Sequence, residues 1–142
     1  MKATTLLAGV LTASALAIGY QYLQPEQTAD APPPTGAALI EVTLPETLTA
    51  QAQTGKTAFE AKCAVCHGPN AAGNANAAPP LVHKIYEPSH HGDESFQRAA
   101  AMGVQAHHWR FGNMPPVEGI TRAEVETIVA YIRELQRANG IF

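Results

Sequence analysis

The segment Cys63-Ala64-Val65-Cys66-His67 contains both cysteines of the chain, and a histidine follows the second of them at once. Two thiols three positions apart can each add to one vinyl group of a single porphyrin, and the adjacent histidine is then carried beneath the iron as its proximal ligand. The spacing therefore predicts covalent attachment of one haem through Cys63 and Cys66, with His67 as an axial ligand of the iron.

Two other chemistries use a pair of cysteines at this spacing. A tetrahedral zinc site needs two more ligands, and because the chain has no further cysteine, histidines would have to supply both. A thioredoxin-type redox pair needs a βαβ setting, which the sequence pattern does not offer. Haem attachment is the interpretation that the flanking residues favour.

Composition limits the classes of function that suit the chain. It has 142 residues, of which 46% are hydrophobic and 15% charged, so it has room for one small domain and a leader. Both cysteines lie in the motif, so the domain has no structural disulfide to stabilise it. A buried porphyrin would instead enlarge its small core. The formal charge of −3 makes nucleic acid a poor partner, whereas a basic docking face on a redox protein is more plausible.

Residues 1–23 are expected to be a signal peptide or an N-terminal membrane anchor. A cleaved signal would end after Ala15 or Ala17, where small residues are spaced A-x-A, whereas an uncleaved anchor would use about 20 residues to cross the bilayer. Both alternatives export the rest of the chain, which suits covalent haem attachment outside the bacterial cytoplasm. Residues 24–46, which include Pro32-Pro33-Pro34, are expected to be a Pro-rich linker and an extended segment.

Residues 47–142 are predicted to be the haem domain, with an all-α fold. Its first helix has one apolar face that ends at the first cysteine. Gly55 on this face lowers helix propensity, which indicates that another helix crosses closely there. The residues of the face are Leu48, Ala52, Gly55, Phe59 and Cys63.

The last helix is expected to be the crossing partner. It begins with the capping box Thr121-Arg122-Ala123-Glu124, has Gly140 as its C-cap, and places Tyr131 against Phe59 and Gly55. Its apolar stripe consists of Val125, Ile128, Val129, Ile132 and Leu135.

A shorter helix is expected between them, from Asp93 as the N-cap to Gly103 as the terminator. The loop beyond it presents Met114 before two prolines, and a thioether on a rigid loop suits a sixth, soft ligand of the iron. Met102 is the competing thioether, and core packing is the expected role for it.

Over residues 47–142 the chain resembles a class I (mitochondrial-like) cytochrome c of bacterial type. The resemblance rests on the attachment motif followed by Gly68, on a later Pro-x-Leu, and on the Met-Pro of the last loop. The matching residues are Gly55, Phe59, Cys63, Cys66, His67, Gly68, Pro79, Leu81, Gly103, Met114, Pro115 and Tyr131.

The resemblance implies a fold and a set of roles. The N- and C-terminal helices would cross around one covalently bound haem, with His67 and Met114 as the axial iron ligands. The Pro79 carbonyl would accept the Nδ1–H of His67, and Leu81 would pack on the haem face. Trp109 would lie near a haem propionate, and Arg110 would be a possible ion partner of that propionate.

Five further histidines form an unusual concentration in so small a domain. Three alternatives are open for them. They are solvated loop histidines, or they form a second site for copper or zinc, or His107 or His108 replaces Met114 at the iron. Adjacent histidines do not easily face one ion, so one from each pair is the expected geometry. The five are His83, His90, His91, His107 and His108.

The function expected of the chain is one-electron transfer in an exported, respiratory-type electron transport chain. With both axial positions filled, the iron would cycle between two oxidation states without binding substrate, so we expect no enzyme activity. Partner contacts would be small and transient, as in other redox encounters. The alternatives are a small peroxidase, a haem subunit of a larger oxidoreductase, and a copper- or zinc-binding accessory protein.

Overall fold

The computed structural model describes residues 36–142. The expected leader at 1–23, and the part of the expected linker up to residue 35, lie outside the described residues. None of the helices within 36–142 combines the length and the apolar character that crossing a membrane requires.

The described part of the chain is helical and forms no strand, which confirms the expected all-α class. Its only β-type pairings are two isolated bridges, Asn74 with Ala78 and Val104 with Met114. The helices are α1 (Ala50–Lys62), α2 (Ala64–His67), α3 (Asp93–Met102) and α4 (Arg122–Ala138), and short 3-10 turns lie at Pro69–Ala71 and Lys84–Tyr86.

Helices α1 and α4 cross at Gly55, as the sequence predicts. A Cβ atom on Gly55 would lie 1.8 Å from the carbonyl oxygen of Thr127, so only a glycine lets the two backbones approach this closely. One turn further along, the rings of Phe59 and Tyr131 meet with centroids 5.7 Å apart, and both side chains are fully buried. The crossing therefore begins at Thr127, one turn before the tyrosine that was expected to meet Gly55.

The ends of α4 follow from local sequence. The Thr121 hydroxyl accepts a hydrogen bond from the Glu124 amide, and the Glu124 carboxylate accepts one from the Thr121 amide, so the predicted capping box is present. The helix ends one residue earlier than expected, because Asn139 is the C-cap and Gly140 follows it with φ +75°. The five residues of the predicted apolar stripe are all buried.

Helix α3 differs from the prediction at its start. Gly92 occupies the N-cap position, and Asp93 is the first helical residue. The Asp93 carboxylate does not cap the helix; instead it accepts a hydrogen bond from the buried Arg133 guanidinium of α4, with Oδ1 at 2.9 Å from Nε. The buried guanidinium needs an anionic partner, and Asp93 supplies it, which explains why tertiary structure overrides the local preference.

The described part of the expected linker is extended and packs along the domain. The Ile40 amide donates to the Ala72 carbonyl at 3.3 Å, and the Thr43 amide donates to the Asn139 side-chain oxygen at 2.9 Å. Ile40 and Val42 also contact the main apolar core. Residues 36–46 therefore add contacts to the domain that begins, by expectation, at residue 47.

Candidate haem site

The attachment motif lies at the junction of α1 and α2. Helix α1 ends at Lys62, and Cys63 caps it with its amide bonded to the Phe59 carbonyl at 2.8 Å. The single turn of α2 then carries Cys66 and His67 round to the same cavity that Cys63 lines. Local helical geometry thus brings all three side chains to one site.

The loop after the motif depends on Gly68, which has φ +72°. A Cβ atom there would lie 2.2 Å from the Gly73 carbonyl oxygen. Both the backbone angle and the space favour glycine, since other residues rarely adopt positive φ. The chain can therefore fold back directly beneath His67.

His67 has the hydrogen bond that the resemblance implies. Its Nδ1 lies 2.9 Å from the Pro79 carbonyl oxygen, and because a carbonyl can only accept, Nδ1 must carry the proton. Burial holds the pKa of His67 below its ordinary value, against the opposing effect of that hydrogen bond. The side chain is therefore a neutral imidazole with Nε2 free to bind a metal, which is the form that iron ligation requires.

The two thiols differ in environment. Cys63 is partly buried, whereas Cys66 is exposed. Burial, with a smaller effect from the neighbouring Cys66, raises the pKa of the free Cys63 thiol to about 11. Before haem attachment this side chain is thus a thiol at neutral pH, not a reactive thiolate of the thioredoxin kind.

A cavity of about 750 Å³ lies between the attachment motif, α3 and the last loop. This volume is within the range of roughly 300–1,000 Å³ found for ligand and cofactor sites. Leu81 and other apolar side chains form much of its wall, and Cys63, Cys66 and His67 reach it from one element. The residues present therefore fit a large planar cofactor bound through two thioethers.

Met114 lines the same cavity. Its backbone pairs with Val104 through two hydrogen bonds of 2.9 Å, which ties the last loop to the chain just after α3. This pairing needs Gly103, because a Cβ atom there would lie 2.4 Å from the Met114 carbonyl oxygen. The loop that presents the thioether is thus held to the segment after α3 by both backbone groups of Met114.

The expectation that Met102 packs in the core is wrong. Its side chain is 67% exposed, although it also borders the cavity. The residue lies two positions beyond Ala100, which is the buried residue of α3. Two positions correspond to more than half a turn of an α-helix, so Met102 lies on the other side of α3 from the core.

Trp109 provides an independent indication of a polar group in the cavity. Its indole Nε1 is buried and has no hydrogen-bond partner among residues 36–142. The indole lies near the Tyr86 hydroxyl and lessens the rise in the pKa of Tyr86, which burial brings to about 12. The Tyr86 oxygen is therefore close to the indole without completing a well-formed hydrogen bond, and an acceptor such as a haem propionate would fit this position. Arg110, its possible ion partner, is exposed and does not line the cavity.

Two polar residues of α4 that hold the cavity wall escaped the sequence analysis. Arg133 donates to the carbonyls of Tyr86 and His91, each at 2.6 Å, and Gln136 donates to the carbonyls of Leu81 and Tyr86 at 2.9 and 3.0 Å. Both side chains are buried. Each follows a residue of the apolar stripe in sequence, Ile132 and Leu135 respectively, and this position could have indicated that both side chains are buried.

The structure brings four of the five additional histidines together. His90, His91, His107 and His108 form a cluster at the edge of the cavity, with ring centroids 4.3–6.1 Å apart. His83 lies apart from that cluster and packs edge-on against Trp109.

These features define a small all-α domain that closes around a cofactor-sized cavity and delivers a Cys-x-x-Cys-His motif to it. A family model described as cytochrome c matches residues 52–136, and since it spans more than half of the chain, the chain belongs to the cytochrome c family. It is therefore a haem-based electron carrier of the c type, with covalently bound haem c. No curated protein matches the chain at a significant level.

Proposed function

We propose that the protein is a class I cytochrome c of bacterial type, whose iron is ligated by His67 and Met114 and which carries single electrons in a respiratory-type chain. The observation that carries the proposal is that one cavity contains both a neutral imidazole with free Nε2 and a thioether on a braced loop. When bound, the haem iron supplies one-electron exchange between its ferrous and ferric states. Two protein ligands leave no position for a substrate, so a carrier is favoured over an enzyme.

The residues of the chain have separate tasks in this proposal. Pro79 keeps the proton of His67 on Nδ1 and thereby orients Nε2. The pairing of Val104 with Met114 limits movement of the last loop, which reduces rearrangement when the charge on the iron changes. Apolar walls exclude water, and a thioether ligand raises the reduction potential relative to a second imidazole.

The expected route for electrons lies at the exposed side of the attachment motif. Cys66 is exposed, and Val65 beside it is 47% exposed. The edge that carries the thioethers is therefore open to a partner protein. A small docking surface of this kind would suit the short-lived encounters expected of transient redox partners.

The ligand assignment is tested by the visible spectrum of the ferric holoprotein. A weak band at the red end of the spectrum reports an iron–sulfur bond, and we expect it in the parent and not in Met114→Ala. Met102→Ala is the matched control, because Met102 is the other thioether that borders the cavity. Loss of the band in Met102→Ala, or its absence from the parent, would refute ligation by Met114.

The export part of the proposal concerns residues outside those described. We propose a location on the periplasmic side of the inner membrane, with residues 1–23 either cleaved or retained as an anchor. Osmotic-shock fractionation of cells that produce the haem-loaded protein would place it, and the mass of the purified chain would show whether the leader remains. Haem-loaded protein confined to the cytoplasm would refute export.

A further inference from the structure

Three histidines outside the haem ligand set present nitrogen atoms to one point. One ligand nitrogen from each of His90, His91 and His108 can be chosen so that all three lie within 4.8 Å of one another. His90 and His108 are exposed and His91 is half-buried, so an ion from solution can reach them. The two loops that supply them are separate in sequence, and folding is what brings them together.

The spacing of the first pair is that of two ligands on one ion. Nε2 of His90 lies 3.4 Å from Nε2 of His108. Two nitrogens bound to one zinc ion at about 2.0–2.1 Å in a tetrahedral arrangement lie roughly 3.3–3.4 Å from each other. A hydrogen bond between the two imidazoles would explain this distance, but it would not explain why a third imidazole faces them.

His91 keeps one nitrogen available for a metal ion. Its Nδ1 lies 2.6 Å from the Ile85 carbonyl oxygen, which can only accept, so Nδ1 carries the proton and Nε2 is free. The buried Arg133 also holds the His91 carbonyl at 2.6 Å. Outer partners of this kind fix the tautomer and the ring orientation of metal-binding histidines.

The sequence favoured one histidine from each adjacent pair, whereas the structure brings nitrogens of both His90 and His91 to the same point. The amides of both residues donate to the Glu87 carbonyl, at 3.1 and 2.8 Å, so the backbone turns there. Adjacent side chains point to opposite sides in an extended strand but only about 100° apart in a helical turn. The turn therefore lets both rings reach the same side.

The other two histidines are less suited to the site. Nδ1 of His83 accepts a hydrogen bond from the Ile85 amide at 3.2 Å, so this nitrogen is occupied. His107 donates from Nδ1 to the Gln105 carbonyl at 2.7 Å, which leaves its Nε2 free, but its ring stacks on His91 at a centroid distance of 6.1 Å and is not one of the three whose nitrogens converge. His107 therefore belongs to the histidine cluster but not to the group of three candidate metal ligands.

We propose that His90, His91 and His108 form a binding site for one late divalent transition-metal ion, Zn²⁺ or Cu²⁺. Imidazole is a preferred ligand of both ions, and three imidazoles leave a fourth position for water. His91 and His108 also line the haem cavity, so the site adjoins the haem without using either proposed axial ligand. Metal binding is a property beyond electron transfer, and because the site uses His108, it rests on the proposed ligation of the iron by Met114.

The test is calorimetric titration of the ferric holoprotein with Zn²⁺ and, separately, with Cu²⁺. We expect one ion per chain, and no binding of Mg²⁺, which prefers oxygen ligands. His90→Gln and His108→Gln should each weaken binding by at least the roughly 10–100-fold that loss of an outer partner costs. Titration with both ions shows which of them the site prefers.

His107→Gln is the matched control, since it removes a neighbouring imidazole of the same cluster. We expect its metal affinity to stay close to that of the parent. Equal losses in all variants, or no binding of either ion to the parent, would overturn the site. The red-edge iron–sulfur band provides the second readout: it should persist when the ion is bound, and its disappearance would show that the metal acts at the haem ligands instead.

Discussion

Gly55→Ala is the substitution that tests the helix crossing most directly. A Cβ atom at this position would lie 1.8 Å from the oxygen and 2.4 Å from the carbon of the Thr127 carbonyl. The obstacle is backbone, so no side chain can rotate out of the way. To reach ordinary contact, α1 and α4 would have to separate locally by roughly 1.5 Å.

The expected cost is the balance of three effects. Overpacking a tight interface costs typically 1–3 kcal/mol, and a backbone obstacle places this site at about 3 kcal/mol. Separation also weakens the Phe59–Tyr131 ring contact, which is worth about 1 kcal/mol beyond its buried area. Alanine regains about 1 kcal/mol of helix propensity. The variant should therefore lose about 3 kcal/mol of unfolding free energy.

The assay is guanidinium unfolding of the ferric holoprotein, followed by far-ultraviolet circular dichroism. Thr57→Ala is the control in the same helix, because Thr57 is exposed and bonds only to the Gln53 carbonyl. It should change stability by no more than about 0.5 kcal/mol, in the stabilising direction. A Gly55→Ala protein as stable as the parent would refute the close crossing.

Two further changes test the start of α4 and its buried guanidinium. Thr121→Ala should cost about 1 kcal/mol of unfolding free energy, because the hydroxyl caps the Glu124 amide. The amide and hydroxyl of Thr121 hold the pKa of Glu124 below its ordinary value of 4.5, so the ionised cap stabilises the fold above that pH and is lost as the pH falls through the lower folded value. The stability difference between the parent and Glu124→Gln should therefore close in acid, and a difference that widens there would contradict this sign. Arg133→Met should cost on the order of 3 kcal/mol, because it leaves the His91 carbonyl without its donor. Arg137→Met, at an exposed position of the same helix, should be nearly neutral, and equal losses in the two denaturation curves would argue against a special role for the buried residue.

Features that depend on neighbours in sequence were predictable from the sequence. The capping box needs only Thr121 and Glu124 three positions apart, and the apolar stripe of α4 follows helical periodicity. The attachment motif is equally local, because one helical turn is enough to bring Cys63, Cys66 and His67 to the same cavity. The crossing at Gly55 is a long-range feature that was nevertheless predictable. A glycine inside an apolar face indicates that another backbone lies close to it, although it does not show which residue that is.

The errors share a physical cause. Asp93 is a good N-cap by local preference, but its carboxylate is paired with the buried guanidinium of Arg133, 40 positions away. Arg133 and Gln136 look like polar positions of a surface helix until the carbonyls of a distant loop are placed against them. Met102 was expected in the core because it is apolar and lies in an Ala-rich helix. Which face of α3 is buried, however, depends on where α4 lies, and the sequence of α3 does not show this.

The sequence by itself determined the cofactor chemistry, the two crossing helices and the capping box that begins the second of them. Each of these depends on spacings of a few residues along one element. The tertiary structure alone decided which histidines meet, because His90 and His91 lie in one loop and His108 in another. It also decided that Trp109 lines the cavity with an indole Nε1 that is buried and has no hydrogen-bond partner among residues 36–142. Distances between loops depend on the path of the whole chain, and no local pattern encodes that path.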